Sequence, residues 1–179
     1  MEKPGFSHPT MHIRQLTESD AEVFRAFRLR SLRESPHAFT NSFEEYSQQT
    51  VEATARRFRE QVASQADFML GDFEDGQLIG SVGFYRETAL KLRHKGYIIS
   101  MYVTPEYRAR GFARALLVEA IDRARRLPDL KQLLLGVVVT QTTAKRLYES
   151  LGFVVYGREP NAVKIGDEYF AEEFMLLNL

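Results

Sequence analysis

The chain has 179 residues, 24 of them basic and 24 acidic, with 44% hydrophobic positions and no cysteine. That length and composition describe one globular domain with enough chain to bury a core. Balanced charge argues against a broad nucleic-acid footprint, no apolar run approaches the roughly 20 residues of a membrane span, and the missing thiols exclude disulfides, thiolate metal sites and an acyl-cysteine intermediate.

Residues 1–10 lack the apolar stretch of a signal peptide and read as a flexible tail. The folded domain is therefore expected over 11–179, and the location by default is cytoplasmic. His12 to Leu16 alternates like an edge strand. Thr17-Glu18-Ser19-Asp20 has the form of a capping box with the shorter Asp, opening a helix from Ala21 to about Arg33 whose apolar face carries Val23, Phe24, Phe27 and Leu32. Residues 38–49 read as an aromatic and acidic connector, and Thr50 caps a second helix over 51–63. Two strands, 68–73 and 78–85, flank Asp75-Gly76, the signal of a tight hairpin. A basic loop, 86–95, leads into the Ile- and Tyr-rich strand 97–103.

Pro105 ends that strand, and a helix follows in which Ala113, Leu116, Leu117, Ala120, Ile121 and Ala124 keep i, i+3, i+4 spacing. Its start carries Arg108, Arg110 and Arg114, with Gly111 where backbone and ligand approach most closely. A helix N-terminus has unpaired N–H groups and a positive dipole end, so this strand–turn–helix is an anion site, with phosphate the first expectation. Neither G-x-G-x-x-G nor G-x-x-x-x-G-K-[ST] occurs. Leu133 to Val139 then reads as a strand covered on both faces, 142–150 as a short helix, and 153–156 with 168–177 as a closing antiparallel pair across a Gly/Pro/Asn-containing link. His8, His12, His37 and His94 show no paired metal-ligand spacing, so no metal site is expected.

The segment Arg108-Ala109-Arg110-Gly111-Phe112-Ala113 resembles the R-x-x-G-x-A pyrophosphate motif of the GNAT superfamily, the acetyl-CoA-dependent N-acetyltransferases. A second segment, from Gln141 to Phe153, resembles that family's N-x-x-A-x-x-L-Y-x-x-x-G-F stretch. Ala144, Leu147, Tyr148, Gly152 and Phe153 match it, and Gln141 stands where Asn is usual. The element order is also that of the family over essentially all of 11–179. The resemblance implies an α/β fold, single-domain and GNAT-like, with a mixed central sheet of about seven strands flanked by about four helices.

It further implies acetyl-CoA as co-substrate, no metal, and direct acetyl transfer to a primary amine in a ternary complex without a covalent enzyme intermediate. Cofactor-binding positions would be Met101, Tyr102 and Val103, whose backbone holds thioester and pantetheine. The turn Arg108, Ala109, Arg110, Gly111, Phe112, Ala113 and Arg114 would hold pyrophosphate, and Gln141 with Ala144 would meet the pantetheine arm. Tyr148 would be the catalytic acid that protonates the departing sulfur; packed on the same helical face as Ala144 and Leu151, it also has an ordinary core role.

No general base stands out. The strand 97–103 lacks Asp and Glu, and Glu87, Tyr97 and His94 are close enough in sequence to be considered, each with an ordinary structural or solvent-facing role beside it. The acceptor, a small-molecule or peptide amine, would be enclosed by 36–49, 86–95 and the final hairpin. There Phe39, Phe43, Glu44, Glu45 and Tyr46 suit a cation with an apolar body, although a solvated connector with a few core anchors is the favoured reading. No nucleic-acid or membrane partner is expected, and a homodimer is left open. The alternative to an enzyme is a catalytically silent acyl-CoA-binding regulatory module.

Overall fold

The computed structural model describes residues 11–179; the tail reading of 1–10 lies outside them. Seven strands form one sheet in the order β1-β2-β3-β4-β5-β7-β6. They are β1 (His12–Gln15), β2 (Phe68–Glu74), β3 (Gln77–Arg86), β4 (Lys95–Val103), β5 (Gln132–Val138), β6 (Val154–Ile165) and β7 (Glu168–Asn178). Neighbours pair antiparallel except β4 and β5, which are parallel and joined by a crossover through α4 (Phe112–Arg125). The other helices are α1 (Ala21–Glu34), α2 (Phe43–Ser47), α3 (Val51–Ser64) and α5 (Thr142–Ser150). None of the described helices is long and apolar enough to cross a membrane.

Strand alternation sends successive side chains to opposite faces, and each face acquires its own apolar layer. On one face, Met69, Leu78 and Tyr102 pack with Phe24 and Phe27 of α1 and Phe58 of α3. On the other, Leu70, Leu133, Leu135 and Val137 pack with Phe112, Leu116 and Leu117 of α4 and with Tyr148 of α5. Asp75 and Gly76 have φ of 50° and 78°, the two positive values that a two-residue hairpin turn requires.

Two elements differ from the sequence reading. The connector contains the helix α2, one more than expected: Ser42 Oγ accepts from the Glu45 N–H at 3.1 Å while the Ser42 N–H donates to the Glu45 carboxylate at 3.0 Å. This Ser-x-x-Glu capping box is readable in the sequence. Residues 157–165, read as part of the link, belong to β6, which absorbs Pro160 and a left-handed Asn161 (φ 55°) in the register shift between Glu159 and Val163. Proline is tolerated there because β6 is an edge strand, where a missing N–H costs no ladder bond.

The entry to α1 follows the capping reading, through a 3-10 turn at Glu18–Asp20. The Thr17 N–H donates to Asp20 Oδ2 at 2.8 Å, and Arg14 grips both carboxylate oxygens at 2.7 and 2.8 Å. Arg14 foremost holds the Asp20 carboxyl below the usual carboxylate range, against a smaller opposing effect of burial. A depressed folded pKa contributes stability above the unfolded value of about 4 and loses it as pH falls through the folded pKa. Asp20→Asn should therefore cost about 1 kcal/mol at pH 7, measured as a lowered urea midpoint. That difference should shrink toward zero as pH falls through the folded pKa.

Candidate active site

The pairing of β4 with β5 stops after three residues, Lys95↔Gln132, Gly96↔Leu133 and Tyr97↔Leu134, although both strands continue. The cause lies in β4. Between the pairs Ser81↔Tyr102 and Gly83↔Ile99, two β4 residues stand opposite Val82, and Ser100 takes a left-handed φ of 52°. Such a bulge bends its strand. Here the Ser81 hydroxyl donates to the Ser100 carbonyl at 3.0 Å and holds it. Beyond Tyr97, β4 therefore leaves β5, and the sheet opens into a cavity of about 400 Å3.

Met101, Tyr102, Val103, Arg108, Ala109, Gly111, Ala113, Arg114, Gln141, Ala144 and Tyr148 line this cavity together. Two residues of the expected set do not. Phe112 is 1% exposed, turned into the core edge-on to Tyr107. Arg110 leaves the cavity for Glu74, at 3.3 Å, and lies over the Tyr107 and Phe112 rings. Arg108 lines the cavity as a strut, its Nε donating to the Val103 carbonyl at 2.9 Å. Arg114 ties α4 to α5 through the Ser150 hydroxyl at 2.9 Å.

What the turn offers a ligand is therefore mainly its backbone. Ala109 and Gly111 are both left-handed, at φ 59° and 90°, and α4 begins immediately after Gly111 with the free N–H groups of any helix start. Among the described residues, a methyl built on Gly111 would meet only Met11, at 3.5 Å. The space in front of the turn is open, as a pyrophosphate cradle requires, and the residues present fit the phosphate end of acetyl-CoA.

Tyr148 is 8% exposed and sits edge-on to Phe153 on the α4–α5 side of the opening. Burial pushes its phenol up to about 12, so it remains protonated across the physiological range. Gln141 is the N-cap residue of α5, and its N–H donates to the Val138 carbonyl at 2.8 Å. Tyr102 has a structural use for its side chain: it is buried, and its hydroxyl donates to Glu34.

Sequence reasoning missed Ser35, Ala38, Tyr107, Gly136, Val137, Val138 and Thr143, which with Leu147 complete the lining. Gly136 had a signal, as the one glycine in the apolar run 133–139. Among the bases considered, the His94 backbone carbonyl anchors Lys131 and Gln132. The Tyr97 phenol is pushed up by burial first and by Glu87 next. Residues 86–88 and 93 line a separate hollow with Pro128 and Asp129, away from the connector.

The connector's aromatic residues are also committed internally. Arg28 lies 4.0 Å over Phe39 and Arg33 4.5 Å over Phe43, Tyr46 is buried, and Glu45 caps α2. The solvated-connector reading thus accounts for these residues. The connector does meet the tip of the β6–β7 hairpin, around a cavity of about 580 Å3 lined by Phe39, Phe43, Glu44 and Val163 through Gly166.

A mixed sheet opened between two parallel strands, with a glycine turn and helix start at one end of the gap, is the architecture of the GNAT acetyltransferases. The chain belongs to that family: the acetyltransferase (GNAT) family matches residues 28–153. A GNAT-family acetyltransferase from Streptococcus pneumoniae superposes with a TM-score of 0.88 at 24% identity, over 94% of this chain and 99% of that one. The Salmonella typhimurium protein yncA, solved with its cofactor acetyl-CoA, gives 0.82 at 23% identity, over 95% and 94%. Spermidine N(1)-acetyltransferase of Vibrio cholerae is 30% identical over 76 residues, 42% of this chain and 44% of that enzyme's length.

Proposed function

We propose that this protein transfers an acetyl group from acetyl-CoA directly to a primary amine. The observation that carries the reading is the β4–β5 opening, with Tyr148 on one side and the Gly111 turn at its end. Acetyl-CoA supplies the activated thioester; the chain supplies binding, polarisation and proton transfer. The α4 N-terminus and the Gly111 turn hold the pyrophosphate through backbone donors. Backbone N–H groups at Met101 to Val103, released from β5 by the bulge, meet the thioester carbonyl and stabilise the charge that develops on its oxygen. The Tyr148 phenol gives its proton to the departing sulfur.

The acceptor must reach the carbonyl as a neutral amine, although a free alkylamine is protonated below a pKa of about 10. A polyamine belongs among the acceptors to try, given the Vibrio cholerae relative. The test combines acetyl-CoA calorimetry with thiol release over a panel of spermidine, butane-1,4-diamine and peptides with free N-termini. Binding with turnover on at least one amine is expected. No binding overturns the reading. Binding without any turnover favours a regulatory acyl-CoA-binding module.

A side-chain prediction follows from the bulge. Ser81→Ala removes the bond that holds Ser100 and loosens the Met101 to Val103 donors, so kcat and kcat/KM should fall together, several-fold, as loss of an interaction made in the transition state does. Steady-state kinetics of the purified variant checks it.

A further inference from the structure

We propose that Glu172 of β7 is the proton acceptor for the attacking amine, on the side of the β4–β5 opening opposite Tyr148. This rests on the acetyl-transfer reading above. Its neighbour Glu173 meets Lys145 of α5 at 2.7 Å, so Glu173 faces the helix that carries Tyr148. Glu172, one residue earlier, faces the other way. Phe170 shares the Glu172 face and stacks edge-on against His37, 5.0 Å between centroids, so the turn Pro36–Ala38 covers this side. Ser35 and Ala38 beside His37 line the cavity.

Gly136 brings the carboxylate to the opening. It also lines the cavity, and a methyl built on it would lie 2.3 Å from Glu172 Oε1. Only a glycine lets the carboxylate rest across β5 at this point; any side chain would push it away. Glu172 also has no hydrogen-bond or ion-pair partner among the described residues, whereas Glu34 and Glu106 are tied to Arg30 and Glu173 to Lys145.

The groups that face Glu172 leave it basic. β5 offers Gly136 and Val138, the Pro36–Ala38 turn offers His37, and β6 offers Glu159 directly across the ladder. Like charges opposite one another are unfavourable. Burial first and Glu159 second push the Glu172 carboxyl above the usual range, the direction that suits a general base near neutral pH.

The acceptor arrives as an ammonium, and one proton passes to the Glu172 carboxylate directly or through one water. The freed lone pair forms the N–C bond to the acetyl carbonyl carbon as the C–S bond breaks, and the sulfur takes the Tyr148 proton. The remaining proton shed by nitrogen restores the Tyr148 phenol, and Glu172 returns its proton to solvent. The products are amide, thiol and one released proton.

The experiment measures kcat/KM against pH by thiol release from acetyl-CoA with spermidine, butane-1,4-diamine and alanyl-alanine amide. Calorimetry with acetyl-CoA runs alongside. Glu172→Gln should lower kcat/KM about 100-fold or more and abolish the acidic limb, with acetyl-CoA affinity held within about twofold. Glu159→Gln removes the neighbouring charge and should move the limb to lower pH. The Glu172 side-chain carboxyl, assigned in 13C spectra by its loss in Glu172→Gln, should titrate lower in Glu159→Gln by the same shift. A Glu172→Gln enzyme with wild-type rate and limb overturns the proposal and leaves acetyl transfer by Tyr148 standing. A wild type that binds acetyl-CoA and turns over none of the three amines overturns both.

Discussion

Tyr148→Phe should lower kcat about 100-fold or more, roughly 3 kcal/mol of transition-state stabilisation, while the affinity for acetyl-CoA stays near the wild-type value. The ring is 8% exposed and packs against Phe153. Phenylalanine preserves that packing and removes only the hydroxyl, so the fold should persist with an unchanged urea midpoint. The phenol's pKa, pushed to about 12 by burial, fixes a second readout. A proton donor acts in its protonated form, so the wild-type kcat profile should show no basic limb from this group below about pH 12. Unchanged turnover in Tyr148→Phe at every pH would remove the phenol from the reaction and leave it a core side chain.

Gly111→Glu should abolish measurable acetyl-CoA binding, with Kd raised about 100-fold or more through two separable effects. The first is conformational: Gly111 sits at φ 90°, where a side chain strains the backbone. The second is electrostatic, since a carboxylate at the start of α4 repels the pyrophosphate and competes for the free N–H groups. Gly111→Ala isolates the first. Among the described residues its methyl meets only Met11, at 3.5 Å, so it should cost about 1 kcal/mol, or fivefold in Kd. Calorimetry on the three proteins separates the effects. A folded Gly111→Glu variant that still binds acetyl-CoA would show that this turn does not hold the phosphates.

Each expectation depends on features that reach the sequence to different degrees. The strand–turn–helix around Gly111 was legible because its signals are local: Pro105 ends a strand, Gly111 supplies a positive φ, and the apolar spacing from Ala113 continues for three turns. The Tyr148 segment was legible for the same reason, since helix α5 and its terminal Gly152 are set by near neighbours. α2 was equally local, through Ser42 and Glu45, and its short capping box was passed over among aromatic residues. The length of β6 was not local at all. Pro160 and Asn161 look like a loop until β7 lies on one side only.

Local patterns in the chain were enough for the family, the order of the elements and the two segments that meet at the β4–β5 opening. Tertiary structure decided which side chains are free. Arg110 is drawn to Glu74, Arg108 to the end of β4, and Phe39 and Phe43 to Arg28 and Arg33. These pairings are settled by packing in the folded chain, which no local pattern encodes. Glu172 is the plainest case. It lies 36 residues beyond Gly136, and only the β5–β7 register brings its carboxylate, unpartnered among the described residues, over the one residue of β5 that has no side chain to displace it.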